Sequence, residues 1–196
     1  VRRDNDPINS VSALEYFVAT RASFVSQKSL YGYLKTRMGT RYPSMFEDDV
    51  FVHSINIAKA HIFAACLADL TIFAVAHAFS TDKDDTVRRS AALKCYAHAL
   101  AENADQLPDE FSVADSTGEF TARLGTTAWS DAALTRENFI DSPRALFDWA
   151  PIAPELKKND HEIVRNSINF AFHEVRQNFT KRLDAGSIQT DLRGQA

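Results

Sequence analysis

Along residues 11–38, apolar side chains recur at three- and four-residue steps: Leu14, Val18, Ala22 and Val25, then Leu30, Leu34 and Met38. That period places them on one face of a helix. Ser12-Ala-Leu-Glu15 has capping-box spacing, a hydroxyl followed three residues later by a carboxylate, and Gly39 offers a left-handed stop. The pattern predicts one long helix, or two with a bend around Ser26 to Ser29. Residues 40–44 then read as a turn, because Pro43 disfavours helical geometry at Tyr42. The next stretch is patterned differently. From Ile62 to Phe79 only Asp69, Thr71 and His77 interrupt an apolar run, so a helix over 48–79 is hydrophobic nearly all round, as the central helix of a bundle must be.

An acidic turn, Asp82 to Asp85, precedes a third helix over 86–104, with Val87, Ala91, Tyr96 and Leu100 toward the core. Residues 107–135 lose periodicity and carry Pro108, Gly118 and Gly125, which predicts loops with short helices such as Asp131 to Asn138. Ser142-Pro143 places an N-cap before a proline and opens a short helix through Trp149 that Pro151 ends. Over 160–185, Ile163 or Val164, Ile168, Ala171, Val175, Phe179 and Leu183 form a last helical stripe, stopped at Gly186. The predicted fold is all-α, a bundle of about four long helices with a long irregular insertion between the third and the last. Residues 1–10 read as a loose arm, 11–185 as a single helical domain and 186–196 as a disordered tail.

Composition supports this picture, since only six glycines and six prolines occur in 196 residues. Cys66 and Cys95 lie inside apolar helical patterns and read as buried thiols, which with the absence of a basic-then-apolar start gives a cytoplasmic expectation. The 62–79 run is long enough for a membrane span, but Asp69 near its middle and few flanking basic residues favour a buried helix. The formal charge of −4 is uneven. Residues 1–46 carry seven basic and three acidic side chains, residues 47–134 six and fourteen, and residues 135–196 nine of each. Arg21, Lys28 and Lys35 repeat along the first helix, yet the chain as a whole is acidic, so no nucleic-acid partner is expected.

Chemistry-bearing motifs are absent: no Gly-x-Ser-x-Gly elbow, phosphate loop, Gly-x-Gly-x-x-Gly or HExxH occurs, and no histidine follows a glutamate by three residues. No metal, cofactor or catalytic residue is therefore assigned. His53, His61, Asp69 and His77 are spaced by eights, and eight residues turn a helix about 80° past two full turns, so they do not share one face. Asp69, His77 and Phe73 remain candidates to line a ligand cavity between helices. An isolated buried carboxylate is costly, so Asp69 must find a partner from another helix or face a wet cavity. His98 and Glu102 stand one turn apart, which is too few ligands for a metal site. Tyr31, Tyr33, Tyr42 and Phe46 cluster with Arg37 and Arg41, the composition that contact surfaces favour.

The stretch from Tyr31 to Asp49, with Tyr31-Gly-Tyr-Leu-Lys-Thr-Arg-Met-Gly-Thr-Arg-Tyr-Pro-Ser44 at its start, resembles uncharacterised helical proteins of α-proteobacteria. Some of those carry an esterase label; the resemblance spans roughly the first 80 residues and brings no nucleophile elbow. It implies origin rather than activity.

Three functions are open at this point. The first is a helical interaction or scaffold module that pairs with itself or with another protein through the Tyr31 to Phe46 region. The second is a binding module for a small apolar ligand, and the third an enzyme of unrecognised type. The largest cavity discriminates the first two: an enclosed apolar cavity favours a ligand, and its absence favours a contact surface.

Overall fold

The computed structural model describes residues 6–81, 84–129 and 139–194. The fold is all-helical, with eight α-helices among the described residues. α1 (Val11–Met38) is one uninterrupted run, its N-terminus held by Ser10, whose hydroxyl accepts from the Ala13 N–H, and by Asp191, which accepts from the Val11 N–H at 2.8 Å. Gly39 ends it with φ of 56°, a conformation that glycine adopts without strain. α2 (Asp49–Ala78) starts on the Asp48 carboxylate, which accepts from the N–H groups of Val50 and Phe51.

α2 is the centre of the molecule, with α1, α3 (Asp85–Glu102) and α5 (Asp141–Trp149) packed around it. Between Ile62 and Phe79 only Ala65 and His77 are not buried. This helix has the length and mean hydropathy, 1.6 over its most apolar stretch, of a membrane span, and 83% of that stretch is buried inside the fold. Apolar area removed from water at about 25 cal/mol per Å² makes such a helix the main source of stability. α7 (His161–Arg182) lies against α1 and α5, and its Phe172 and Phe179 join Phe17, Phe73 and Phe139 in one aromatic cluster with ring centroids 4.7–5.7 Å apart.

Several sequence expectations change. The insertion is more helical than its pattern predicts: it holds α4 (Val113–Thr126), α5 and the single turn α6 (Pro154–Lys157). The helix predicted at Asp131 to Asn138 lies outside the described residues. α5 begins at Asp141, so Ser142 sits in its first turn instead of capping it. The predicted tail is helix α8 (Ala185–Gly194) as far as it is described: Asp184 accepts from the Ser187 N–H, and the Ile188 side chain is wholly buried. Gly186 falls inside that first turn instead of ending α7. The N-terminal arm is pinned from residue 6 onward, since the backbone of Ile8 bonds to those of Arg182 and Asp184 at 2.9 and 3.0 Å and its side chain is buried.

Four charged side chains are buried among the described residues, namely Asp69, Arg88, Lys157 and Asp160. Each is satisfied, and three of them close helix ends. Arg88 donates twice to the Phe79 carbonyl at the end of α2, at 3.1 and 3.0 Å, and pairs with Asp85. Lys157 donates to the carbonyls of Phe147, Asp148 and Ala150, at 2.6, 3.0 and 3.2 Å, and so closes the end of α5. Asp69 closes the other end of α5.

Candidate functional site

A half-open cleft of about 770 Å³ lies between α2, α4 and α5. Its floor is the alanine face of α2, Ala64, Ala65 and Ala68, whose small side chains leave the volume free. α4 forms one bank because Ser112 caps it and only Phe120 and Leu124, one turn apart, anchor it, which leaves Asp115, Glu119 and Arg123 toward the opening. α5 forms the other bank, with Asp141, Arg144, Asp148 and Trp149.

The two ends of the cleft differ. At one, the His61 ring lies flat on the Trp149 indole, centroids 3.5 Å apart, and Phe111 meets the same imidazole edge-on at 5.1 Å. Burial holds the His61 pKa below its ordinary 6.5, so this aromatic wall is uncharged at neutral pH. At the other end Arg123 bridges two carboxylates, Asp69 at 2.7 Å and Asp141 at 2.6 Å, while Arg144 takes the remaining Asp141 oxygen at 3.1 Å. Burial works against the Arg123 charge, but the two carboxylates outweigh it and raise its pKa.

Asp69 lies behind this wall, fully buried. One of its oxygens accepts the Ser142 hydroxyl at 2.5 Å and the Ser142 N–H at 2.8 Å; the other takes Arg123 and, at 3.4 Å, the Asp141 N–H. Burial pushes its carboxyl above the usual range, with Arg123 and Ser142 pulling the other way. Tyr96, its phenol raised to about 12 chiefly by burial, places its hydroxyl 2.7 Å from that of Ser116.

No family model, curated protein or solved structure matches the chain.

What the cleft can do follows from its own chemistry. The three serines beside it are engaged: Ser112 caps α4, Ser116 pairs with Tyr96, and Ser142 donates to Asp69. The arrangement suits holding a molecule between an aromatic wall and a charged one.

Of the residues predicted for a ligand cavity, Phe73 and His77 meet, with ring centroids 4.2 Å apart, and line one shallow depression, whereas Asp69 does not join them. Asp69 supports the cleft from behind, Phe73 belongs to the aromatic core at 4% exposure, and His77 donates to the Phe73 carbonyl at 2.9 Å beside a shallow depression with His173, Arg176 and Lys181. Of the residues predicted for a contact surface, Arg37, Arg41 and Phe46 are exposed, Tyr31 and Tyr42 are half-buried and Tyr33 is buried. Tyr33 is buried with its hydroxyl on Asp160 at 2.6 Å, and Arg37 forms an ion pair with the same carboxylate at the start of α7. Tyr31, Tyr42 and Phe51 each meet the Phe46 ring, at 6.5, 5.2 and 5.8 Å between centroids, where the chain passes from α1 to α2.

Sequence reasoning missed Trp149, Phe111, Arg123 and Asp141. Ser112 followed by Asp115, with Phe120 and Leu124 one turn apart, was a usable helix signal for α4. Nothing local pointed to Arg123 as the partner of Asp69, 54 residues away.

Proposed function

We propose that this protein is a small-molecule binding module whose ligand occupies the cleft between α2, α4 and α5. The observation that carries the proposal is the cleft itself: its volume falls within the usual range for ligand sites, and its two ends are chemically distinct and built on packed helices. The ligand lies over the alanine floor with its flat or apolar part against His61, Trp149 and Phe111. This departs from a purely apolar cavity, because carboxylates line the banks.

Native mass spectrometry of protein purified from its source tests the idea. A one-to-one small-molecule adduct is expected, and it is lost in Ala65→Phe, which fills the floor. A bare mass for the parent protein, unchanged after equilibration with a metabolite extract of that source, sinks the proposal.

A second reading is self-association or capture of another protein, and α7 supplies its motive. Ile163 and Phe170, seven residues apart and therefore on one face, are 58% and 77% exposed. Phe170→Glu is expected to shift a dimer to monomer in light scattering under this reading and to change nothing otherwise.

A further inference from the structure

We infer that the ligand of the cleft is an organic cation, a protonated amine or quaternary ammonium carried on a flat apolar body. The inference rests on the cleft being a ligand site. Five carboxylates line it, Glu110, Asp115, Glu119, Asp141 and Asp148, against two guanidiniums, Arg123 and Arg144. Both guanidiniums are engaged, Arg123 by Asp69 and Asp141, and Arg144 by Asp141. Glu110 faces His53 at 2.8 Å, whereas Asp115, Glu119 and Asp148 form no ion pair among the described residues, the Lys157 charge acting on Asp148 only from beyond ion-pair distance.

These three stand on opposite banks, Asp115 and Glu119 on α4 and Asp148 on α5. A half-enclosed space with excess charge of one sign focuses the field, so it concentrates cations and repels anions. The aromatic end adds a second preference of the same sign. Indole is the strongest cation–π partner among the side chains, and Trp149 is 43% exposed even with His61 on it. His61 contributes no opposing charge at neutral pH. A metal ion finds poorer terms, since the described residues hold no cluster of three metal-ligating side chains.

The test uses the full chain and three probes that share one naphthalene body: 2-(1-naphthyl)ethylammonium, 2-(1-naphthyl)ethanol and 1-naphthylacetate, each titrated by calorimetry at neutral pH. The ammonium is expected to bind roughly tenfold more tightly than the alcohol, the acetate most weakly, and the gap to shrink with added salt. In Asp115→Asn/Glu119→Gln the preference for the ammonium falls, while circular dichroism shows the helices intact. Should the alcohol or the acetate equal the ammonium, with binding still lost in Trp149→Ala, the cation assignment is overturned and the cleft remains a site. Should none of the three bind, the assignment of a cation on a flat apolar body is overturned, and the cleft stands or falls as a site by the native mass spectrometry above.

Discussion

Asp69 on α2 caps the first turn of α5 across the fold, taking the Ser142 N–H at 2.8 Å and the Ser142 hydroxyl at 2.5 Å. α5 has no side-chain cap of its own, so this carboxylate from a helix 73 residues earlier supplies it. Asp69→Ala strands the Ser142 donors and removes one of the two carboxylates that Arg123 bridges. A loss of about 3–5 kcal/mol in urea unfolding is expected, the range for removing one partner of a buried ion pair. A loss below about 1 kcal/mol refutes the capping role.

Arg37 and Arg41 look alike in the sequence and differ in the fold. Arg37→Glu sets a second carboxylate against the buried Asp160, so a clear drop in melting temperature is expected, corresponding to about 3 kcal/mol. Arg41→Glu, at an exposed position, is expected to stay within about 0.5 kcal/mol of the parent. Equal effects in thermal melts followed by circular dichroism refute the distinction.

His61 links stability to pH. Its folded pKa is held below 6.5 by burial, so between that value and 6.5 the unfolded chain binds the proton more readily. Its contribution is fully present above pH 6.5 and is lost as pH falls through the lowered folded value. His61→Phe keeps a stacking ring and removes the titration. The difference in unfolding free energy between parent and variant is expected to change with pH below 6.5 and to be flat above it. A flat difference throughout rules out the linkage.

Much of the fold was legible because its core helices carry their own period. Leu14, Val18, Ala22, Val25, Leu30 and Leu34 are all buried, as are Val164, Ile168, Ala171, Val175 and Phe179. The unbroken apolar run of α2 announced the centre of the bundle. The site was far less legible. Its floor is three alanines, which read as generic helix, and its charged end depends on Arg123 reaching Asp69 and Asp141 from a helix with two buried anchors. The cluster around Tyr33 holds two kinds of residue, Tyr33 and Arg37 bound to Asp160 of the same chain and Arg41 and Phe46 left exposed, and composition alone does not separate them.

α8 was missed for a similar reason, since one buried isoleucine makes a weak stripe. Ile188→Ala is expected to lower unfolding free energy by about 2–5 kcal/mol, as for other truncations of buried aliphatic side chains. A chain ending at 184 also loses the Asp191 carboxylate at the start of α1 and the Gln189 amide that donates to the Ala78 carbonyl at 2.8 Å. Its melting temperature falls further still. A truncated chain as stable as the parent contradicts the placement of α8.

The double closure of α5, by Asp69 at one end and Lys157 at the other, divides that helix into a frame and a display. The positions that fix it in space, at Asp141, Ser142 and the carbonyls around Phe147 to Ala150, are held by side chains from elsewhere. Asp148 takes no part in that anchoring through its side chain, Arg144 joins it only through Asp141 of the same helix, and Trp149 only by stacking on His61, yet all three line the bank of the cleft. Substitution at these three positions therefore changes the charge and shape of the cleft at less cost to the fold than substitution at Asp69, Ser142 or Lys157.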